Sequence, residues 1–404
     1  MKYIVVLGDG MADWKIDSLG GKTCLEEADT TTLNKLAPRS EVGLCKTVPD
    51  GMKPGSDVAN MSVLGFNPKD FYTGRSPLEA VSMGIDLADT DVTLRCNLVT
   101  LSEEEKYEDR TMVDYSAGEI TTEEAAVLIS FLKSRLDNER FTLYPGISYR
   151  HCLVVKNGVT GHDLTPPHDI SDRKITEHLP KGELGNVYLE MMKRSAELLK
   201  DHPVNLKRIS EGKRPANSIW LWGEGTKPAL SPFEKERGLK GGIISAVDLV
   251  KGIGMLAGMK IIDVEGATGN YDTNFKGKAE AAARALIGGL DFVYIHMEAP
   301  DECGHHGDFV HKVYSIEQID KVVIPTLMEK LQASGMDFTM LVTPDHPTPC
   351  ACKTHVSEPV PYLIYSSKKN LGNGAARYTE DEAAKTGQYV ADGYKLIERL
   401  LAVK

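Results

Sequence analysis

A chain of 404 residues with 41% hydrophobic content has room for two domains or for one domain with a large insertion, which excludes a disordered or fibrous protein. Its formal net charge of -11 provides no basic stripe for a nucleic-acid backbone, so any anionic ligand must be met by local cations. No apolar run approaches the ~20 residues that span a bilayer, and seven scattered cysteines with no charged-then-apolar leader fit a reducing, cytoplasmic setting.

The opening MKYIVVLGDG reads as a buried strand, because Ile4 to Leu7 is a short β-branched run ending in Gly-Asp-Gly turn chemistry; Asp9 stands at its carboxyl end. In KPGSDVANMSVLGF, Lys53 to Phe66, Ser56 follows a Pro-Gly turn and begins an apolar run at helical spacing. It is either the cap of that helix or a nucleophile presented at its N-terminus, since the same backbone N–H groups serve both roles. From about Asp89 to Pro215 the pattern changes, with strand-like DVTLRCNLVTL and RHCLVVKNG, the helix TTEEAAVLISFLKSRL, the polar loop GVTGHDLTPPHDISDRK and a helix around VYLEMMKRSAELLK. Residues 89–215 are therefore expected to form an inserted, smaller α+β domain, with 1–88 and 216–404 making a discontinuous main domain. SIWLWGEG and ISAVDLVKGIGMLAG read as a strand and a helix that restore α/β alternation, and Lys207, Arg208, Lys213 and Arg214 as a solvated linker.

After the helical KAEAAARALIGGL, the segment LDFVYIHMEAPDECGHHGD repeats the opening design, a strand from Phe292 to Met297 running into Asp301 and His305. YSIEQIDKVVIPTLMEKLQASG follows as one helix. MDFTMLVTPDHPTPC repeats the design again, Met340 to Val342 leading to Asp345 and His346, with His355 beyond the next loop. This alternation predicts an α/β fold with a largely parallel sheet sandwiched by helices, and ligands in such folds bind beyond the carboxyl ends of the strands.

Asp9, Asp301, Asp345, His305, His346 and His355 are oxygen and nitrogen donors sufficient for two divalent ions, with His306 and His311 as alternative neighbours or bystanders. Mixed carboxylate and imidazole donors suit Mn or Zn and tolerate Co or Mg. Cys350-Ala-Cys352 has no second pair at ligand spacing and reads as unrelated buried thiols. A bound cation would activate the Ser56 hydroxyl, and a second would offset the charge of a group in flight, which suits phosphoryl or sulfuryl transfer through a covalent serine. The nucleotide-binding patterns GxxxxGK[ST], and GxGxxG between strand and helix, are both absent.

LGDGMAD, KPGSDVANMSVLGF, DECGHHGD and TPDHPTPCACKTH, in that order, resemble the alkaline phosphatase superfamily, and within it the cofactor-independent phosphoglycerate mutases of the archaeal type. TGRSPLEAVSMGIDL, LRCNLVTL, EGATGNYDTNF and PVPYLIY extend the similarity over nearly the whole chain. The resemblance implies an alkaline-phosphatase-like fold in which Ser56 is the phosphorylated nucleophile. It implies that Ser56 shares one metal with Asp9, Asp345 and His346, while Asp301, His305 and His355 hold the other. It further implies that Arg75, Arg95, Asn97, Arg150, His168 and Lys240 line the substrate cleft, covered by the inserted domain. The implied reaction interconverts 3-phosphoglycerate and 2-phosphoglycerate in glycolysis without 2,3-bisphosphoglycerate; the partner is a small phosphorylated metabolite, with neither nucleic acid nor membrane. The chain departs from such relatives at DYSAGE, Asp114 to Glu119, where they carry Asp-Arg-Arg-Ala-Gly-Arg. Tyr115, Ser116 and Glu119 thus replace three cations, and Trp222 replaces another arginine. A homoserine kinase-like phosphotransferase, a phosphatase and a non-catalytic metal-binding protein are the rival readings.

Overall fold

The computed structural model describes all 404 residues, Met1 to Lys404. They form two compact units, Met1–Tyr72 with Leu230–Lys404, and Thr73–Ala229. No helix is long and apolar enough to cross a membrane.

The first unit is built on an eight-stranded sheet in the order Tyr389–Val390, Glu41–Cys45, Val360–Ser366, Phe338–Thr343, Lys2–Gly8, Phe292–Met297, Gly241–Ile244, Lys260–Ile261. Val360–Ser366 alone runs against its neighbours; every other pairing is parallel. Ile4, Val5, Val6 and Leu7 are all fully buried, so both faces of the central strand are covered, as a parallel strand with an unbroken apolar run requires. On one face Ile4, Val6, Val293, Ile295, Met340 and Val342 pack with Ala279, Ala282 and Leu286 of helix Phe275–Ile287 and with Ile316, Val323 and Leu327. The segment expected as one helix after Tyr314 consists of Phe309–Gln318, a π-helical turn at Ile319–Val323, and Ile324–Ala333. Pro325 in the first turn of the last piece has no N–H to donate to the preceding turn, which accounts for the break in the α-helical ladder.

The second unit is an antiparallel sheet centred on Val92–Leu101, which pairs with Arg150–Val155, with Ser218–Thr226 and, at its carboxyl end, with Met112–Asp114; Phe141–Tyr144 extends it beyond Arg150–Val155. Helices Thr122–Leu136 and Gly185–Leu199 bury Leu128, Leu132, Tyr188 and Met192 in its core. This corrects the expected boundaries at 88/89 and 215/216. SIWLWGEG pairs with Val92–Leu101 rather than with the parallel sheet, and helix Ser76–Ser82 packs on both of these strands. Alternation resumes with Gly241–Ile244, and the helix read from ISAVDL begins only at Asp248. Within the basic cluster Lys207, Lys213 and Arg214 are exposed, and Arg208 alone departs from the expected solvated linker. Arg208, on helix Pro203–Ser210, is 2% exposed and pairs with Glu124 at 2.5 Å, while Arg214 reaches Asp114 at 2.5 Å.

Candidate functional site

Parallel pairing aligns the three acidic strand endings. Leu7 is in register with both His296 and Thr343, so Asp9 and Asp345 leave neighbouring strands at one edge of the sheet, and helix Ala299–His306 begins at the same edge after Met297. Asp301 and His305 are four apart on that helix and face the same way. Gly10 makes the approach of these segments possible. Its φ is +59°, and a Cβ there would lie 2.5 Å from Asp301 Oδ1 and 2.6 Å from Thr348 Oγ1.

Ser56 is the first residue of helix Ser56–Val63; Gly55 occupies the cap position and makes no side-chain capping bond. The serine hydroxyl lies 3.2 Å from His346 Nε2 instead. The same nitrogen is 3.3 Å from Asp345 Oδ2 and 3.5 Å from Asp9 Oδ1. Beside this group stands a second: His305 Nε2 is 3.2 Å from Asp301 Oδ2 and 2.9 Å from His355 Nε2, and His355 Nε2 is 3.5 Å from Asp301 Oδ1. His305 Nδ1 is 3.1 Å from the Lys353 carbonyl, an acceptor only, so that nitrogen carries a proton. His306 turns back to the Glu302 carbonyl and His311 to Asp308, outside the cluster.

Four side chains that sequence reasoning passed over complete the site. His296, fully buried, places Nε2 2.8 Å from Asp9 Oδ2. Asn60 donates to Asp345 Oδ2 at 2.8 Å and accepts from Tyr294 OH at 2.6 Å. Thr348 donates to Asp301 Oδ1 and lies 3.2 Å from His346 Nδ1. The available signals were a histidine inside the apolar run FVYIHM and an asparagine one helical turn after Ser56.

Burial, reinforced by Asp345, Asp301 and Glu298, holds the Asp9 carboxyl well above its ordinary pKa. Burial also lowers His346, and takes His296 down to about 3, so neither imidazole supplies a compensating charge at neutral pH. The hydrogen bond to Asp301 pushes His305 up to about 9. Asp9 Oδ1 is buried without a hydrogen-bond partner. Clustered carboxylates, neutral imidazoles and an orphaned carboxylate oxygen form a donor set that fits divalent cations, and Asp9, Asp345 and His346 converge closely enough to share one. Asp13, Cys24 and Cys350 also converge, but the buried Lys312 ammonium, 2.8 Å from Asp13 Oδ2, occupies the position of a cation there. All seven cysteines are free; Cys352 is exposed rather than buried.

In the second unit, cross-strand register sets Arg95 opposite Trp222 and Asn97 opposite Arg150. Glu79 receives Arg75 Nε at 2.8 Å and Arg95 Nε at 3.0 Å. Burial would raise Glu79, but Arg95, Arg75 and Arg150 outweigh it and hold the carboxylate below its ordinary value. The Arg95 guanidinium also lies over the Trp222 ring at 4.2 Å, and Trp222 Nε1 donates to Asn97 Oδ1 at 2.9 Å. His168 packs edge-on to Trp222 and to Tyr115. Five of the expected substrate residues are thus one cationic cluster. The departures from the family pattern are built into it: Trp222 stacks on an arginine, and the Asp114–Glu119 loop is held by Arg214 on Asp114 and by Arg208 on the Ala117 carbonyl.

Lys240 belongs to the first unit. It is exposed and precedes strand Gly241–Ile244, its backbone paired with Asp291 at the amino edge of the parallel sheet, opposite the edge that carries Asp9. A six-residue strand at ~3.3 Å per residue separates the two edges by about 20 Å. Lys240→Ala is accordingly expected to leave kcat/KM unchanged in steady-state assays.

A serine at a helix start, set among carboxylates and imidazoles at the carboxyl ends of parallel strands, marks an α/β protein whose donor set fits divalent cations. The profile of 2,3-bisphosphoglycerate-independent phosphoglycerate mutase matches residues 37–205. The chain is 48% identical over 405 residues to the enzyme of that name from Methanosarcina barkeri, covering 100% of both chains. Among solved structures, a Pyrococcus horikoshii protein is similar at TM-score 0.83 and 27% identity, covering 99% of this chain and 96% of that one. The cofactor-independent phosphoglycerate mutase of Thermoplasma acidophilum is similar at TM-score 0.66 and 25% identity, covering 99% of both. The chain belongs to the 2,3-bisphosphoglycerate-independent phosphoglycerate mutase family.

Proposed function

We propose that this chain interconverts 3-phosphoglycerate and 2-phosphoglycerate by passing the phosphoryl group through Ser56. The observation that carries the reading is the position of the Ser56 hydroxyl, at the start of a helix and 3.2 Å from His346 Nε2, within the Asp9, Asp345 and His346 donor set. Ser56 Oγ bonds to phosphorus as the bond to one glycerate oxygen breaks. The other glycerate hydroxyl then takes the group back as the P–Oγ bond breaks, with no net consumption of water. The amino end of helix Ser56–Val63 directs partial positive charge toward the transferring group. Asp9, Asp345, His346 and Ser56 would hold one divalent ion and Asp301, His305 and His355 another, Mn or Zn by donor type with Co or Mg tolerated. When bound, such ions lower the pKa of the serine hydroxyl and neutralise phosphoryl oxygens. His296 and Asn60 hold Asp9 and Asp345 in place through 2.8 Å hydrogen bonds.

Arg75, Arg95 and Arg150 supply the guanidinium forks that a carboxylate and a phosphate require, with Asn97 and His168 beside them. Arg95→Ala is expected to lower kcat/KM by about 30- to 1,000-fold, the ~2–4 kcal/mol of a lost buried charge-assisted contact. An unchanged kcat/KM would remove Arg95 from substrate recognition. The reaction itself is tested by phosphorus NMR of metal-loaded protein given 3-phosphoglycerate without 2,3-bisphosphoglycerate. Appearance of 2-phosphoglycerate is the expected result. Release of inorganic phosphate alone, or no conversion together with phosphorylation of homoserine from a donor, would overturn it.

A further inference from the structure

We propose that Thr348 is a positioning residue that couples the two donor sets, its hydroxyl holding one donor of each so that its loss weakens the binding of both cations together. The inference rests on the two-cation reading above. Thr348 is fully buried in the loop between Asp345 and His355. Its hydroxyl has a single proton, given to Asp301 Oδ1. The oxygen therefore accepts from His346, whose Nδ1 lies 3.2 Å away and must carry the hydrogen. That fixes the His346 tautomer, leaving Nε2 unprotonated where it faces Ser56, Asp345 and Asp9. One hydroxyl thus orients a carboxylate of the Asp301, His305, His355 set and selects the ligating nitrogen of the Asp9, Asp345, His346 set.

The surroundings hold the backbone that carries this hydroxyl in place. The fully buried Lys312 ammonium donates to the Thr348 carbonyl at 2.8 Å, to Ala12 O at 3.2 Å and to Asp13 Oδ2 at 2.8 Å, which spends its three hydrogens. Asp13 Oδ1 in turn accepts from Cys350 N at 3.2 Å, two residues beyond Thr348. Helix Ala299–His306 closes from the other side, where a Cβ on Gly304 would fall 2.4 Å from the Thr348 carbonyl oxygen. Lys312 and Asp13 thereby tie the loop after the first strand to the loop bearing Asp345 and His346, with Thr348 at the joint.

Thr348→Val keeps the shape and removes only the hydroxyl; Thr348→Ser keeps the hydroxyl and removes a methyl. Full-length protein stripped of metal is dialysed against graded Mn²⁺ and its bound metal measured, with the melting temperature of the metal-free form read in parallel. Wild type is expected to take up two ions. In Thr348→Val both should bind about 10- to 100-fold more weakly, with Thr348→Ser close to wild type. An unchanged isotherm for Thr348→Val, weakening of one ion only, or failure of serine to restore binding would each overturn the coupling role. Thr348→Ala takes the place of the valine variant if that variant does not fold. A wild-type protein that binds no Mn²⁺ would instead remove the two-cation reading on which the inference stands.

Discussion

Ser56→Ala is expected to lower mutase turnover by at least about 10³-fold, because no other hydroxyl would be presented at the head of that helix to accept the phosphoryl group. Fold and stability should change little. Gly55, not Ser56, holds the cap position, so no capping bond is lost, and alanine is the best helix former. What disappears is one buried contact to His346 Nε2, worth about 1 kcal/mol, or a melting-temperature shift of no more than about 3 °C. Intact-mass measurement of wild type mixed with substrate should show one phosphate adduct that maps to Ser56 and is absent from the variant. A variant that retained turnover within about tenfold of wild type would return Ser56 to a structural role.

Exhaustive chelation is expected to abolish activity and lower thermal stability together, and refilling with a divalent ion should restore both. Asp9, Asp301 and Asp345 are 3% exposed or less; His305, pushed up to about 9, offsets Asp301, but neutral His346 and His296 bring no charge to Asp9 and Asp345. Cations that bind only the folded chain stabilise it by mass action, about 2.7 kcal/mol for each ion present at a hundred times its dissociation constant. The check is elemental analysis beside calorimetry and turnover for the same samples, with two ions per chain at full activity. Metal content near zero in active protein, with turnover indifferent to chelators, would sink the two-cation reading.

Asp9, Asp301 and Asp345 were legible from local pattern alone, because an apolar run that ends in an acidic turn shows both that a strand exists and where its side chains leave the sheet. The Asp301 and His305 pair was legible for a similar reason, since four-residue spacing decides a shared helical face without help from the rest of the chain. The roles suggested for Arg75, Arg95, Asn97, Arg150 and His168 came from motif resemblance. Their assembly around Glu79 and Trp222 depends on cross-strand register, which no single strand encodes. The same limit explains the misplaced boundary. SIWLWGEG announces itself as a strand, but an apolar run does not state its partner, and it joined the antiparallel sheet of the second unit. Lys240 shows a complementary limit: a cation next to a strand lies at either of its ends, and only the direction of that strand in the sheet put this one at the amino edge. The sequence by itself therefore determined the element types, the acidic strand endings and the serine at a helix start, all set by local periodicity and turn chemistry. Tertiary structure alone decided which strands adjoin, which nitrogen of His346 faces Ser56, and that Thr348, His296 and Asn60 stand behind the donor set, because those facts are hydrogen bonds between segments far apart in the chain.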